Sequence, residues 1–153
     1  MSAAFICEKP RITASVILTA KVIAVRVVPE ASDHLVCDCD VEVQQVFRCP
    51  ESVPAVATFR YHSYEGAKPW ICGIHQFRRL TVGEEVLIFA ASFNGWLSEA
   101  FTIDGKFIEV LHWLTATARN LDTMQLQAMG VTEAERQRLG EVYAAIAKAF
   151  ETV

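Results

Sequence analysis

Leu35-Val36-Cys37-Asp38-Cys39-Asp40-Val41-Glu42-Val43-Gln44-Gln45-Val46-Phe47-Arg48 is the stretch that decides the fold. Leu35, Cys37, Cys39, Val41, Val43 and Phe47 share one parity, while Asp38, Asp40, Glu42, Gln44 and Arg48 share the other. Successive side chains of a strand point to opposite faces, so the alternation describes a strand with one buried and one wet face. Cys49-Pro50 ends it, since proline has no N–H for a ladder. Val53 to His62 repeats the pattern, with Val53, Ala55, Ala57, Phe59 and Tyr61 facing in and Thr58, Arg60 and His62 facing out.

Upstream, Ile12 to Val28 is apolar at both parities, as suits a long bent strand serving two faces of a small barrel. Pro29, Ser32 and Asp33 close it with a turn. Downstream, Ser63 to Gly83 is irregular and Glu85 to Phe93 reads as a fourth strand. Asn94-Gly95, both tolerant of positive φ, makes a two-residue hairpin to Leu97–Ile103. Asp104-Gly105 is a turn, and Phe107 to Val110 reads as a last short extended piece. The period then becomes helical over 111–120. Asp122 with Gln125 forms a capping box, and Gly130 stops that helix. Thr132 with Glu135 opens a final helix whose Leu139, Val142, Tyr143, Ile146 and Phe150 share a face. The pattern predicts a single domain over 1–153, all-β to α+β. A five-stranded antiparallel OB-type barrel occupies about 12–110 and helices about 111–150.

Composition bounds what this domain does. Of 153 residues 52% are apolar and 21% charged, enough for a real core and incompatible with wholesale disorder. A net charge of −4 offers no basic face, which argues against a general nucleic-acid binder. No apolar run approaches the ~20 residues of a membrane span, and no signal-peptide pattern opens the chain. The chain as written is therefore expected to be cytoplasmic, or secreted or periplasmic if a leader was removed. No cofactor motif is found. Five cysteines, Cys7, Cys37, Cys39, Cys49 and Cys72, are too few for a disulfide scaffold.

The order of features is similar to the netrin-like OB-fold domain, and in particular to the inhibitory domain of the tissue inhibitors of metalloproteinases. The matching pieces are Ala14–Val22 as first strand, Val41–Arg48 as second, Cys72-Gly73-Ile74 after the irregular segment, Gly83–Ala90 as fourth strand, and Phe107–Trp113 leading into helices. The resemblance covers residues 5–130 and implies an OB barrel and a protein partner such as a protease. It also implies a staple between Cys7 and Cys72. Those inhibitors chelate the protease's zinc through the free α-amine of an N-terminal Cys-x-Cys. Here Cys7 stands inside Cys7-Glu8-Lys9-Pro10, where its amine is a peptide nitrogen, so the chain as written lacks that wedge.

Several groupings invite sharper chemistry. Cys37, Cys39 and Cys49 with His34, joined by Cys72 and His75, have ligand types suited to zinc. The parity of Cys37 and Cys39 places both on the buried face, where thiols act as small hydrophobes, so no metal site is assigned. Cys72 beside His75 or His62 has no orienting third group or oxyanion device in view, and no enzyme is predicted. Residues 56–79 carry Arg60, Lys68, Arg78 and Arg79 against Glu65, a local +3, interleaved with Tyr61, Tyr64, Trp70 and Phe77. With Cys7 and Asn94, the residues Arg60, Tyr64, Lys68, Trp70, Arg78 and Arg79 form the expected protein-binding surface. Single-stranded nucleic acid is the alternative ligand, since OB barrels also bind it. The two last helices do not suit DNA: Glu133, Glu135 and Glu141 outnumber Arg136 and Arg138 on the would-be recognition helix.

Overall fold

Element order is α1 (Ala3–Thr13), β1 (Val16–Val28), β2 (Leu35–Arg48), β3 (Val56–Ser63), β4 (Glu85–Ala90), β5 (Leu97–Thr102), α2 (Phe107–Arg119), α3 (Thr123–Met129) and α4 (Glu133–Glu151). The computed structural model describes residues 3–28, 35–63 and 79–151. They fall into two compact units, one of residues 14–103 and one of residues 1–13 with 104–153.

The first unit is a five-stranded antiparallel sheet in the order β3-β2-β1-β4-β5. The alternation in β2 is expressed as expected: Cys37, Cys39 and Val41 are buried and Asp38 and Asp40 half-buried. Cross-strand pairs Cys39–Phe59 and Val41–Ala57 put β3's inward residues on the same face. Val16, Leu18, Ala20 and Val22 of β1 and Val86, Ile88 and Ala90 of β4 complete the core. The double-parity apolar run of β1 has two causes. Ile17 and Thr19, of the opposite parity, are buried too. Between Val22 and Ala24 the register shifts, so Val25 rather than Ala24 pairs with Cys39 on the core face. An extra residue in one strand reverses which side chains face in.

Several boundaries differ from the sequence expectation. Ile12 and Thr13 end a helix rather than open a strand. The third strand starts at Val56, leaving Val53 exposed. The fourth ends at Ala90, which pairs with Leu97, so residues 91–96 form a six-residue loop instead of a two-residue hairpin. Asn94 does take φ 57°, but Gly95 does not take positive φ. The expected extended piece Phe107–Val110 is the first turn of α2. Asp104 begins that turn: its carboxylate accepts the Lys106 N–H at 2.8 Å and its carbonyl the Phe107 N–H at 3.1 Å. Buried Phe107, Leu111, Leu114 and Ala118 then recur at helical spacing. As for the expected barrel, what is seen is an open five-stranded sheet whose ladder is continuous from β3 to β5, with one isolated parallel bridge, Arg60–Trp96, between β3 and the residue before β5 among the described residues.

The second unit is helical. Both capping boxes form. Asp122 accepts the Gln125 N–H at 2.7 Å while the Gln125 side chain accepts the Asp122 N–H at 2.9 Å. Thr132 and Glu135 do the same at 3.1 and 3.0 Å. Gly130 ends α3 at φ 72°. Leu139, Tyr143 and Ile146 of α4 are buried, and Phe150 packs on Phe107 with centroids 5.0 Å apart. Helix α1 carries a buried ion pair, Glu8–Arg11 at 2.5 Å, whose guanidinium lies 5.2 Å from the Trp113 ring centroid. No helix among the described residues is long and apolar enough to cross a membrane.

Candidate functional site

The outward face of the sheet unit is built by strand parity alone. Asp38 and Asp40 point away from the core because Cys37, Cys39 and Val41 point into it. Register sets Asp40 opposite Thr58 and Asp38 opposite Arg60 on β3, and Arg26 opposite Asp38 on β1. The side chains join along these pairs. Arg60 grips Asp38 with Nε–H to Oδ1 at 2.8 Å and Nη2–H to Oδ2 at 3.1 Å. Arg26 crosses diagonally to Asp40, with Nη1–H to Oδ2 at 2.6 Å and Nη2–H to Oδ1 at 2.9 Å. The Thr58 hydroxyl donates to Asp40 Oδ1 at 2.7 Å. Two planar forks thus lock three strands together.

The electrostatics follow from these contacts. The Arg26 guanidinium and the Thr58 hydroxyl hold the Asp40 carboxyl down at about 2. Hydrogen bonding to Arg60 lowers Asp38, and the bond to Asp40 raises Arg26 further. Behind them, burial pushes the Cys39 thiol up to about 12, so in this environment it is protonated at neutral pH. Burial likewise raises Tyr61, whose hydroxyl oxygen accepts the Leu80 N–H at 2.8 Å. Among the described residues no three His, Cys, Asp or Glu side chains are grouped to hold a metal ion.

At the margin of this face the 91–96 loop meets β3. The Asn94 side-chain oxygen accepts the Thr58 N–H at 3.2 Å, and the Gly95 carbonyl accepts the Arg60 N–H at 2.9 Å. A side chain at Gly95 would begin 2.6 Å from Ser92 Oγ, so the loop turns here on a residue without one. The result places Trp96 against β3. Its indole stacks on the His62 ring, centroids 4.6 Å apart and planes 20° apart, while 49% of Trp96 stays exposed.

Of the expected surface residues, the structure brings Arg60 and Asn94 together at this junction. Arg79 is exposed on the segment leading to Leu80. Cys7 falls in α1, with its side chain outside the described residues, as are Tyr64, Lys68, Trp70, Cys72 and Arg78, with His34, His75 and Phe77. Tyr61, which strand parity turned inward although the segment's interleaved aromatics also included it, is 3% exposed and belongs to the core rather than to the surface. The site residues not anticipated are Arg26, Asp38, Asp40, Thr58 and Trp96, with His62 in a stacking role. Parity already assigned Asp38, Asp40, Thr58 and His62 to the wet face. Trp96 carried no such mark, because its partner lies 34 positions away. Comparison of the chain with protein-family models returned no match, and comparison with curated proteins returned none.

Proposed function

We propose that this chain is a non-catalytic protein-binding module on an OB-type barrel, with the Arg60–Asn94–Trp96 junction at the heart of its contact surface. The observation that carries the proposal is the half-exposed indole of Trp96, held on His62 beside two bidentate Arg–Asp pairs. Tryptophan and arginine dominate the energetic centres of protein interfaces, and a platform fixed before binding loses little entropy on association. The isolated parallel bridge between Arg60 of β3 and Trp96, the residue before β5, supports closure of the strand order into a barrel. The order of the module's sequence features resembles that of the metalloproteinase inhibitors. Its contact surface is this junction rather than an N-terminal zinc-chelating wedge, since the Cys7 nitrogen lies within helix α1.

The test is affinity capture on the full immobilised chain beside Trp96→Ala and Arg60→Ala. A recovered protein is then purified and its binding measured. The expected result is a partner whose affinity falls at least tenfold with Trp96→Ala. The reading is overturned if no captured protein depends on Trp96 or Arg60. A metalloproteinase panel decides the inhibitor branch, and no inhibition by the full chain removes it. Salt-dependent binding of single-stranded DNA that survives Trp96→Ala would point to a nucleic-acid ligand on another face.

A further inference from the structure

We infer that the outer face of helix α4 is the contact through which two copies of this chain pair antiparallel. The inference concerns the helical unit and stands without the protein-binding reading.

Helix α4 turns two unlike faces to its surroundings. Leu139, Tyr143 and Ile146 are buried, while on the other side Gln137, Glu141, Ala144 and Lys148 are exposed and Gly140 and Ala147 half-buried. Gln137, Gly140, Ala144, Ala147 and Glu151 recur at alternating steps of three and four, the period of a seam between two helices. This seam borders a groove against α2, made of two adjoining hollows of about 440 and 380 Å³ that share Thr115, Arg119, Gly140 and Ala144. Side chains between packed helices set how near their axes come, and the small ones here leave room for a close third helix.

Gly140 points to something outside the chain. After proline, glycine is the least favourable residue in a helix interior, because it gives up the most backbone freedom. Nothing within the chain asks for it. Its φ is not positive, and a Cβ at Gly140 would meet no atom within 4 Å among the described residues. A bare position in mid-helix, open on the groove, suits the approach of a second backbone.

The charges choose the occupant. Glu141 and Lys148 stand seven residues apart on one flank of the seam, both exposed, and neither has an ion-pair partner among the described residues. In a two-fold pair residue i meets residue j and j meets i. Two α4 helices running antiparallel, centred between Ala144 and Ala145, therefore bring Glu141 of each copy to Lys148 of the other. Flanking charges of this kind set orientation and register in paired helices. A slip of one heptad sets Glu141 against Glu141 and leaves Lys148 alone. The chain thus carries the complement of its own face.

The size of the contact fixes its strength. Helices α4 and α2 have 19 and 13 residues and are about 28 and 20 Å long; at about 10 Å wide they give a footprint on the order of 500 Å² before side-chain relief is counted. A standard stable interface buries about 800 Å² of accessible surface on each partner, so this pair belongs in the micromolar range.

The experiment is sedimentation velocity of the full chain from low micromolar to several hundred micromolar. A reversible monomer–dimer equilibrium is expected, with no larger species, because a two-fold contact closes on itself. Glu141→Lys and Lys148→Glu should each weaken the dimer at least tenfold, and the double variant should recover most of that loss. Arg138→Glu, a charge reversal on α4 outside the seam, should leave the dimer unchanged. Gly140→Gln should weaken it at least tenfold while raising the melting temperature of the dilute monomer, since glutamine is the better helix former. Circular dichroism of each variant separates loss of association from loss of fold. The inference is overturned if the chain stays monomeric at several hundred micromolar, if reversing either charge or filling Gly140 leaves association unchanged, or if the double variant associates no better than the single ones. A dimer lost in Trp96→Ala and kept in Gly140→Gln would move self-association to the sheet junction and overturn it too.

Discussion

Asp40 is the residue on which three strands converge, and its carboxylate shows what the lattice contributes. It accepts both arms of Arg26 and the hydroxyl of Thr58, and these bonds hold its pKa at about 2, below the ordinary 3.8. A carboxyl whose folded value lies below its unfolded value stabilises the fold wherever it is ionised in both states. The contribution is complete above about pH 4 and is lost as pH falls towards 2. The Asp40 side chain is 25% exposed and Arg26 52%, so solvent screens the pair and its worth is that of a surface pair with good geometry. Asp40→Asn is therefore expected to lower unfolding free energy by about 0.5–1 kcal/mol at pH 6, with the gap closing near pH 2. Urea denaturation of both proteins across that range measures it. A gap that persists unchanged at pH 2 would mean that packing, not charge, is what Asp40 provides.

At the scale of the element, local sequence decides where it alone can. Helix α3 has only seven residues, too short to persist on propensity, and is bounded by a reciprocal capping box and a left-handed glycine. Asp122→Ala leaves the Gln125 N–H without its acceptor and should cost about 1 kcal/mol of stability by thermal or urea unfolding. Gly130→Ala, forced to positive φ, should cost a similar amount, about 1 kcal/mol. An effect below a few tenths of a kcal/mol for both would show the helix held by Leu126 and Met129 alone. These caps, and the in-out parity of β2 and β3, were legible in the sequence because each depends on residues two to four apart. The misread elements depend on longer range. Phe107-Ile108-Glu109-Val110 has strand-like composition, and only Asp104's capping of the turn and the spacing onward to Ala118 make it a helix. In α1, Pro10 stands inside the helix, a position proline seldom takes, so local preference pointed away from the observed element. The candidate site was half legible: Arg60 and Asn94 were marked by charge and turn chemistry, while Trp96 became part of it only through the approach of β5 to β3.

At the scale of the whole sheet, the open question is closure, and the strand order makes it a local one. With β1 at the centre and β3 and β5 at the edges, a barrel forms only if those edges hold each other. What joins β3 to the residues just before β5 is the Arg60 N–H to the Gly95 carbonyl, the Thr58 N–H to the Asn94 side chain, and the His62–Trp96 stack. A contact this small should open more readily than the β1–β2 ladder, which runs from Ile17 to Val28. Amide hydrogen exchange resolves the two. In the parent the Thr58 and Arg60 amides should be protected, yet less so than those of Leu18 and Ala20 in the buried centre of β1. Asn94→Ala removes the side-chain acceptor and should speed exchange at Thr58 about tenfold, the worth of one hydrogen bond, with β1 unaffected. Arg60 should quicken with it if the two bonds form one cooperative clasp, and keep its rate if each opens alone. Thr58 and Arg60 amides that exchange in the parent as fast as exposed loop amides would show the edges apart in solution. The platform beneath Trp96 would then lack the support on which the proposed contact surface relies.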